Sequence, residues 1–380
     1  MEHVKNVIKK ILDMNGVTHV TQNVFNKILK IGRGNDSIDE FIRDTQLSAV
    51  CREKVLEWIP YDRFHDIEYI AKGGFSKVYK ANWIDGYIDK WDNENQNWER
   101  LNSDDIVALK SLNNSKNITS EFFNEIASHH KIVGNHNYIN NSIVRLYGIT
   151  QDPETKNYMM VLEYAEDGSL RNYLDKSYDT LSWENKFSVL CFIAIGLTKI
   201  HDKELIHRDL HIGNILYNLD YACITDMGLC KPADYNTLEN KRVYGVLPYI
   251  APEILRGQNY TKASDIYSFG IIIYEVISGL PPYHDVNHDE NLAIKICEGF
   301  RPRFNIKQIK EAEEIIKNSS VSSILSTSLA LSYETHSKAI YTKSLQINIS
   351  QLNMNGQSNQ SSKSKGGVYC WLRKEWNDVK

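Results

Sequence analysis

His207-Arg208-Asp209-Leu210-His211-Ile212-Gly213-Asn214 is a polar run set between two apolar segments, and its reading decides the fold of this chain. A carboxylate at Asp209 and an amide at Asn214 are what a loop needs if one group is to orient a hydroxyl while the other helps to hold a metal ion. Alone, the run proves little, because few of its positions are diagnostic. Its company changes that. Downstream lie Asp226-Met227-Gly228 and Ala251-Pro252-Glu253, and upstream lies Val107-Ala108-Leu109-Lys110 in a strand-like context. Motifs in this order and at these separations do not assemble by chance.

Together they resemble the signature set of protein kinases. From about Tyr61 to Arg303 the chain looks like a tyrosine-kinase-like kinase of the type expanded in fungi. The phrases Trp58-Ile59-Pro60-Tyr61-Asp62-Arg63-Phe64 and Val246-Leu247-Pro248-Tyr249-Ile250-Ala251-Pro252-Glu253 are similar to that group. The resemblance implies an α+β, two-lobed protein kinase fold. A small β-rich lobe with one main helix is expected over residues 61–165, and a larger, mostly helical lobe over 166–305. It also implies transfer of the γ-phosphoryl group of ATP, with Mg2+, to a hydroxyl of a protein substrate in intracellular signalling.

Bulk properties exclude several other classes. At 380 residues the chain exceeds one average domain. A formal net charge of -4 with 24% charged residues makes no broad basic field, so neither nucleic acid nor an anionic membrane is an expected partner. Six scattered Cys show no paired zinc-type spacing and follow no secretory pattern, which points to a reduced cytosolic or nuclear setting, cytoplasmic by preference. The longest apolar runs, such as Phe269 to Ile277, stop well short of a membrane span. Composition does not fix an oligomeric state.

Residues 1–60 carry the apolar repeats Val4/Val7/Ile8/Ile11/Leu12 and Val24/Ile28/Leu29, spaced for helix faces, and read as a small helical extension without chemistry. From Phe64 the pattern alternates through Ala71-Lys72-Gly73-Gly74-Phe75-Ser76-Lys77-Val78, as in a hairpin. By resemblance this hairpin covers the ATP phosphates, where small residues let backbone N–H groups approach. Gly73 holds a family glycine position, whereas Ala71 and Ser76 replace the first and third, which predicts weaker or slower nucleotide binding. Residues between Trp83 and Asp105 read as an extended excursion between two strands. Lys110 ends a buried strand and needs a partner; the following helix offers Glu121 and Glu125, and the family pattern favours Glu125. His129 and His130 are adjacent, share no helix face, and read as ordinary polar positions rather than metal ligands. Met159 to Ala165 resembles the hinge, with Leu162 at the back of the pocket and the backbones of Glu163 and Ala165 meeting the adenine edge. Val78, Ala108 and Leu216 would close on the faces of the base.

In the larger lobe Phe187, Leu190, Ile193, Ala194, Leu197 and Ile200 repeat at helical spacing, with Cys191 read as core. The resemblance makes Asp209 the group that accepts the attacking hydroxyl's hydrogen bond, and makes Asn214 and Asp226 the magnesium ligands, with Lys110 and Glu125 completing the catalytic set. Tyr235, Thr237 and Tyr244 are hydroxyls on the segment before Glu253; Arg208 resembles an arginine that grips a phosphate there, and both a phosphorylation-ordered and a constitutively ordered segment stay open. His211 and Val246 stand where Ser/Thr kinases usually carry Lys and Thr, and Ile212-Gly213 does not match tyrosine kinases. Subgroup resemblance favours Ser/Thr, with Tyr open. Asp265 resembles the helix carboxylate that pins the catalytic loop. The helix that follows is expected to end at Gly279-Leu280-Pro281-Pro282, and a short one to span about Asn291 to Glu298.

After Phe304 the resemblance ends. A Ser/Asn/Gln/Lys-rich stretch over 306–380 reads as a largely disordered tail, and the large lobe as truncated after about residue 305. The arginine that pairs with Glu253 in the family is missing, and a buried carboxylate stripped of its partner costs ~3–5 kcal/mol. Two functions therefore compete: an active protein kinase, and a catalytically impaired kinase-like binding or scaffold protein.

Overall fold

The computed structural model describes residues 36–304, except 50, 74–75, 93, 96, 114, 117–118, 133–141, 219–220, 234–241 and 244, together with 347–348. The chain divides into two compact units at Tyr164/Ala165. The first is β-rich with one main helix and the second mostly helical, which is the two-lobed kinase fold.

In the first unit a six-stranded sheet runs in the order β1 (Glu57–Trp58), β7 (Leu146–Gln151), β8 (Tyr158–Glu163), β6 (Asp105–Leu112), β3 (Ser76–Trp83), β2 (Phe64–Lys72). All neighbours pair antiparallel except β1 and β7, which are parallel. Phe64, Trp83, Val107, Leu109 and Val161 form the core on one face. Helix α2 (Ser120–Ile132) buries Phe122, Glu125, Ile126 and His129, positions i, i+3, i+4 and i+7 of one helical stripe.

The excursion after Trp83 is an antiparallel hairpin, β4 (Tyr87–Asp92) and β5 (Asn97–Leu101). Tyr87 stacks on Tyr147 at 5.7 Å, the Arg145 guanidinium lies 4.4 Å from the centre of the Tyr87 ring, and Arg100 binds both carboxylate oxygens of Glu57. None of these contacts is local in sequence.

Residues from Asp36 onward are built into this unit. Helix α1 (Asp36–Ser48) buries Ile38 and Ile42, and β1 adds a strand beside β7. The approach is close: a Cβ on Gly148 would sit 2.1 Å from the Glu57 carbonyl oxygen, so only glycine admits the strand. The apolar repeats at Val4 to Leu12 and Val24 to Leu29 lie outside the described residues.

In the second unit α3 (Leu170–Ser177) and α4 (Trp183–Asp202) begin at Ser169 and Ser182, whose hydroxyls accept from backbone N–H groups three residues on. Short strands β9 (Leu205–Ile206), β10 (Ile215–Asn218), β11 (Tyr221–Ile224) and β12 (Lys231–Pro232) carry the loops between them. Helix α5 (Pro252–Leu255), the central α6 (Lys262–Ser278) and α7 (Glu290–Cys297) follow. Thr261 and Ser264 form a reciprocal cap at the start of α6, and Gly279 ends it. On α4, Val189, Leu190, Ile193, Leu197 and Ile200 are buried, but Phe187 is 50% exposed and Cys191 is exposed. Those two residues, one turn apart, lie on the outer face; Cys191 is therefore surface and not core.

Glu253 also differs from expectation. It lies in the first turn of α5 and is half-buried rather than fully buried, so the full penalty for a buried orphan does not apply. Among the described residues it forms no ion pair. Beyond Phe304 only Ile347–Asn348 is described, a two-residue strand β14 antiparallel to β13 (Arg242–Val243); the polar stretch and the rest of the tail lie outside the described residues. Among the described residues no helix is long and apolar enough to cross a membrane.

Candidate active site

The first unit places Lys110, and with it Lys80, on one face of its sheet among small and apolar residues. Residues directly opposite in an antiparallel pair share a face, as do i and i+2 on one strand. Val78 faces Lys110, and Ala108 faces both Lys80 and Leu162, so Val78, Ala108, Lys110 and Leu162 line one side. Ala71 joins through its pairing with Val78, and Gly73 N–H donates to the Ser76 carbonyl at 2.8 Å to narrow the hairpin end. Glu163 closes β8.

Lys110 Nζ lies 2.6 Å from Glu125 Oε1, with both side chains buried. Glu121 is exposed, as its place off the α2 stripe requires. The adjacent histidines are not ordinary polar positions. His129 is buried, and His130 donates from Nε2 to the Lys54 carbonyl at 3.2 Å; burial pushes the His130 ring toward the neutral form, with Lys54 adding to the effect. Adjacency on α2 separates their faces, but both faces are covered.

The second unit carries the candidate carboxylates. Asp265 on α6 accepts from the backbone N–H of His207 at 2.8 Å and of Arg208 at 3.0 Å, and from His201 Nε2 at 2.9 Å. Those bonds anchor the start of the loop. Its end is anchored by Asn214, whose Nδ2 donates to the Asp209 carbonyl at 2.9 Å. Because β10 and β11 pair Ile215 with Ile224, Asn214 and Thr225 stand side by side, and Thr225 N–H donates to the Asn214 carbonyl at 2.9 Å. Asp226 follows directly. His207 ties the two loops: its Nδ1 accepts from Asp209 N–H at 3.3 Å and its Nε2 donates to the Thr225 carbonyl at 3.1 Å. Leu216, on β10, is half-buried and bridges to Ser169; Ala165, at the start of this unit, is buried.

Arg208 and Asp226 both adopt left-handed backbone, φ 71° and 60°, a conformation that costs a non-glycine residue and persists where the surroundings fix it. Asp226 accepts from Gly228 N–H at 3.3 Å, and Met227 is fully buried. Gly245, at φ 134°, takes a backbone conformation that favours glycine, and a Cβ there would be in ordinary contact with Asp209 Oδ1, at 3.5 Å. The Arg208 guanidinium stacks over Tyr260 at 4.5 Å; Tyr235, Thr237 and Tyr244 lie outside the described residues.

His211 is buried, accepts at Nδ1 from Gly213 N–H at 3.1 Å, and places Nε2 4.0 Å from Asp209 Oδ1. Burial pushes its pKa down, against the pull of Asp209, so a neutral ring with its proton on Nε2 faces the carboxylate. Its ring lies 5.9 Å from Tyr249, whose hydroxyl donates to Glu275; Glu275 in turn binds Arg171 at 2.6 Å. Sequence reasoning passed over His201, Tyr249, Arg171 and Glu275. One signal was there: Glu275 is the lone charge within the apolar run Phe269 to Ile277 of α6, and such a charge demands a partner.

Asp226 and Asn214 supply hard oxygen donors, the Asn214 amide nitrogen being engaged at Asp209. Among the described residues no cluster of three or more His, Cys, Asp or Glu surrounds a metal position. That set fits magnesium, which takes one or two protein ligands and draws the rest from phosphate and water. It does not fit a structural zinc site.

A two-lobed fold with a buried lysine–glutamate pair in one unit and a pinned Asp/Asn loop beside a second Asp in the other defines a protein kinase. The chain belongs to the protein tyrosine and serine/threonine kinase family, whose profile matches residues 64–323, past residue 305. It is 29% identical over 260 residues to a probable serine/threonine-protein kinase of Dictyostelium discoideum, covering 65% of this chain and 13% of that protein. It is 32% identical over 223 residues to the L-type lectin-domain containing receptor kinase V.5 of Arabidopsis thaliana, covering 57% and 30%. The G-type lectin S-receptor-like serine/threonine-protein kinase SRK of the same plant is 28% identical over 273 residues, covering 69% and 29%. The chain thus spans less than a third of the length of these relatives. They are slime-mould and plant proteins, so the kinship is with tyrosine-kinase-like kinases broadly and not with fungal ones in particular.

Proposed function

We propose that this chain transfers the γ-phosphoryl group of Mg-ATP to Ser or Thr hydroxyls of a protein substrate in intracellular signalling. The observation that carries the reading is the buried Lys110–Glu125 pair at 2.6 Å. A buried ion pair adds little net stability over apolar packing; its use is to hold an ammonium, oriented by Glu125, for the α- and β-phosphates. Asp209 orients the acceptor hydroxyl and accepts its hydrogen bond, with Asn214 and Asp265 fixing the loop that presents it. Val78, Ala108 and Leu216 pack on the base, Ala71 and Gly73 cover the phosphates, and the backbones of Glu163 and Ala165 meet the adenine edge. Asn214 and Asp226 would hold magnesium, which supplies charge neutralisation on the phosphates. The serine/threonine kinases among the relatives support Ser/Thr preference, while His211 and Val246 keep Tyr open. Phosphorylation at Tyr235, Thr237 or Tyr244 would give Arg208 a charged partner in place of its stack on Tyr260.

Ala71 and Ser76, at places where the family carries glycine, favour the second reading, a kinase-shaped binding protein. One experiment separates them. Purified full-length chain is incubated with γ-labelled ATP and magnesium, and phosphoamino acids are resolved. We expect transfer by the wild type, dominated by phosphoserine and phosphothreonine and abolished in Asp209→Asn. A wild type that gains thermal stability from Mg-ATP yet transfers no label is the binding protein.

A further inference from the structure

We propose that residues 36–58 are a brace that sets the Lys110–Glu125 pair, with Phe41 and Lys54 as positioning residues acting through helix α2; the inference rests on the phosphoryl-transfer reading above. Phe41, on α1, meets the Phe123 ring edge-on at 5.2 Å and the His130 ring at 5.7 Å. Lys54 Nζ donates to the His130 carbonyl at 2.5 Å, at the C-terminal turn of α2, where the helix leaves carbonyls unpaired and its dipole favours a cation. His130 returns a bond to the Lys54 carbonyl. A third link runs through rings: Trp58 of β1 contacts Tyr158 at 6.1 Å, and Tyr158 contacts Phe122 of α2 at 6.0 Å.

Helix geometry gives these contacts a direction. Successive residues of α2 are about 100° apart around the axis. Phe123 and His130, seven apart, therefore share one flank, about a quarter turn from the Phe122/Glu125/Ile126/His129 stripe. A contact on that flank opposes rotation of α2 about its own axis, the motion that would carry Glu125 away from Lys110. The Lys54 bond opposes sliding at the helix end. The ion pair cannot fix the helix by itself, because the desolvation of two buried charges offsets much of their attraction. The buried stripe of α2 and its contact with β7 hold one side of the helix; residues 36–58 hold the adjoining flank and the C-terminal end while anchored elsewhere by buried Ile38, Ile42 and Leu56 and by the β1–β7 pairing that Gly148 admits.

The test uses the full-length chain with Phe41→Ala, Phe41→Leu and Lys54→Met, and with Ile296→Val as a control that lowers stability from a buried site in the other unit. For each, kcat, KM for ATP, melting temperature and amide hydrogen exchange over residues 120–132 are measured. We expect Phe41→Ala and Lys54→Met to lower kcat/KM tenfold or more and to speed exchange in α2. Phe41→Leu should restore most of the loss, and Ile296→Val should leave kcat/KM unchanged. Phe41→Ala and Lys54→Met variants that melt earlier but keep wild-type kcat/KM and α2 exchange overturn the brace. Should the wild type transfer no phosphate, the kinase reading falls on that result alone, and α2 exchange in the same variants still decides whether the brace exists.

Discussion

His211 and Lys110 show how far surroundings set the chemistry of a single residue. Burial holds His211, and with it His130, below the ordinary histidine value of 6.5. As pH falls through that value the unfolded chain takes up protons that the folded chain refuses, so these rings contribute stability above about pH 6.5 that is lost on acidification. The melting temperature should therefore drop between pH 7 and 5, and drop less steeply in His130→Asn/His211→Asn; equal slopes would show that neither ring is held neutral. Lys110 separates stability from activity. Lys110→Met strands Glu125 in the interior and should cost ~3–5 kcal/mol along with a rate loss on the order of a hundredfold or more. Lys110→Met/Glu125→Gln should recover much of the stability in denaturant titration and none of the activity, since no ammonium returns.

Among elements, α6 acts as a frame. Asp265 accepts two backbone bonds from the start of the 207–214 loop and a third from His201. Asp265→Ala leaves those N–H groups unpaired at a buried site, and kcat should fall tenfold or more with KM for ATP little changed. A proportional rise in KM would instead place the effect in nucleotide binding. Ten residues along, Glu275 joins Arg171 and Tyr249. Glu275→Ala breaks a buried pair and should lower unfolding free energy by ~3–5 kcal/mol, read from the urea midpoint. Legibility in the sequence differed from element to element. The α4 stripe was visible as a period of apolar residues, yet that period did not say that Phe187 and Cys191 turn outward, since periodicity marks a face and not where the neighbouring element ends. The β4–β5 hairpin showed only as an excursion, because Tyr87, Arg145 and Tyr147 meet across the sheet and not along the chain.

At the scale of the whole molecule, four short motifs were enough to name the fold class, and the family match over residues 64–323 agrees. Phosphoryl transfer asks little covalent chemistry of the protein and much positioning, so a few residue types at fixed separations carry the signature. Asp209→Asn should remove labelled transfer while leaving the Mg-ATP-induced rise in melting temperature; loss of both would mean that the substitution disrupts the loop itself. By itself the sequence determined the kinase class, the two-lobed β-rich and helical division, and the residue types available for phosphate, metal and hydroxyl. Only the tertiary structure decided that Glu253 is half-buried, that His211 faces Asp209 as a neutral ring, that His129 is enclosed, and that residues 36–58 are part of the first unit. Each of those depends on what lies against a side chain from a distant part of the chain, and local pattern carries no record of it.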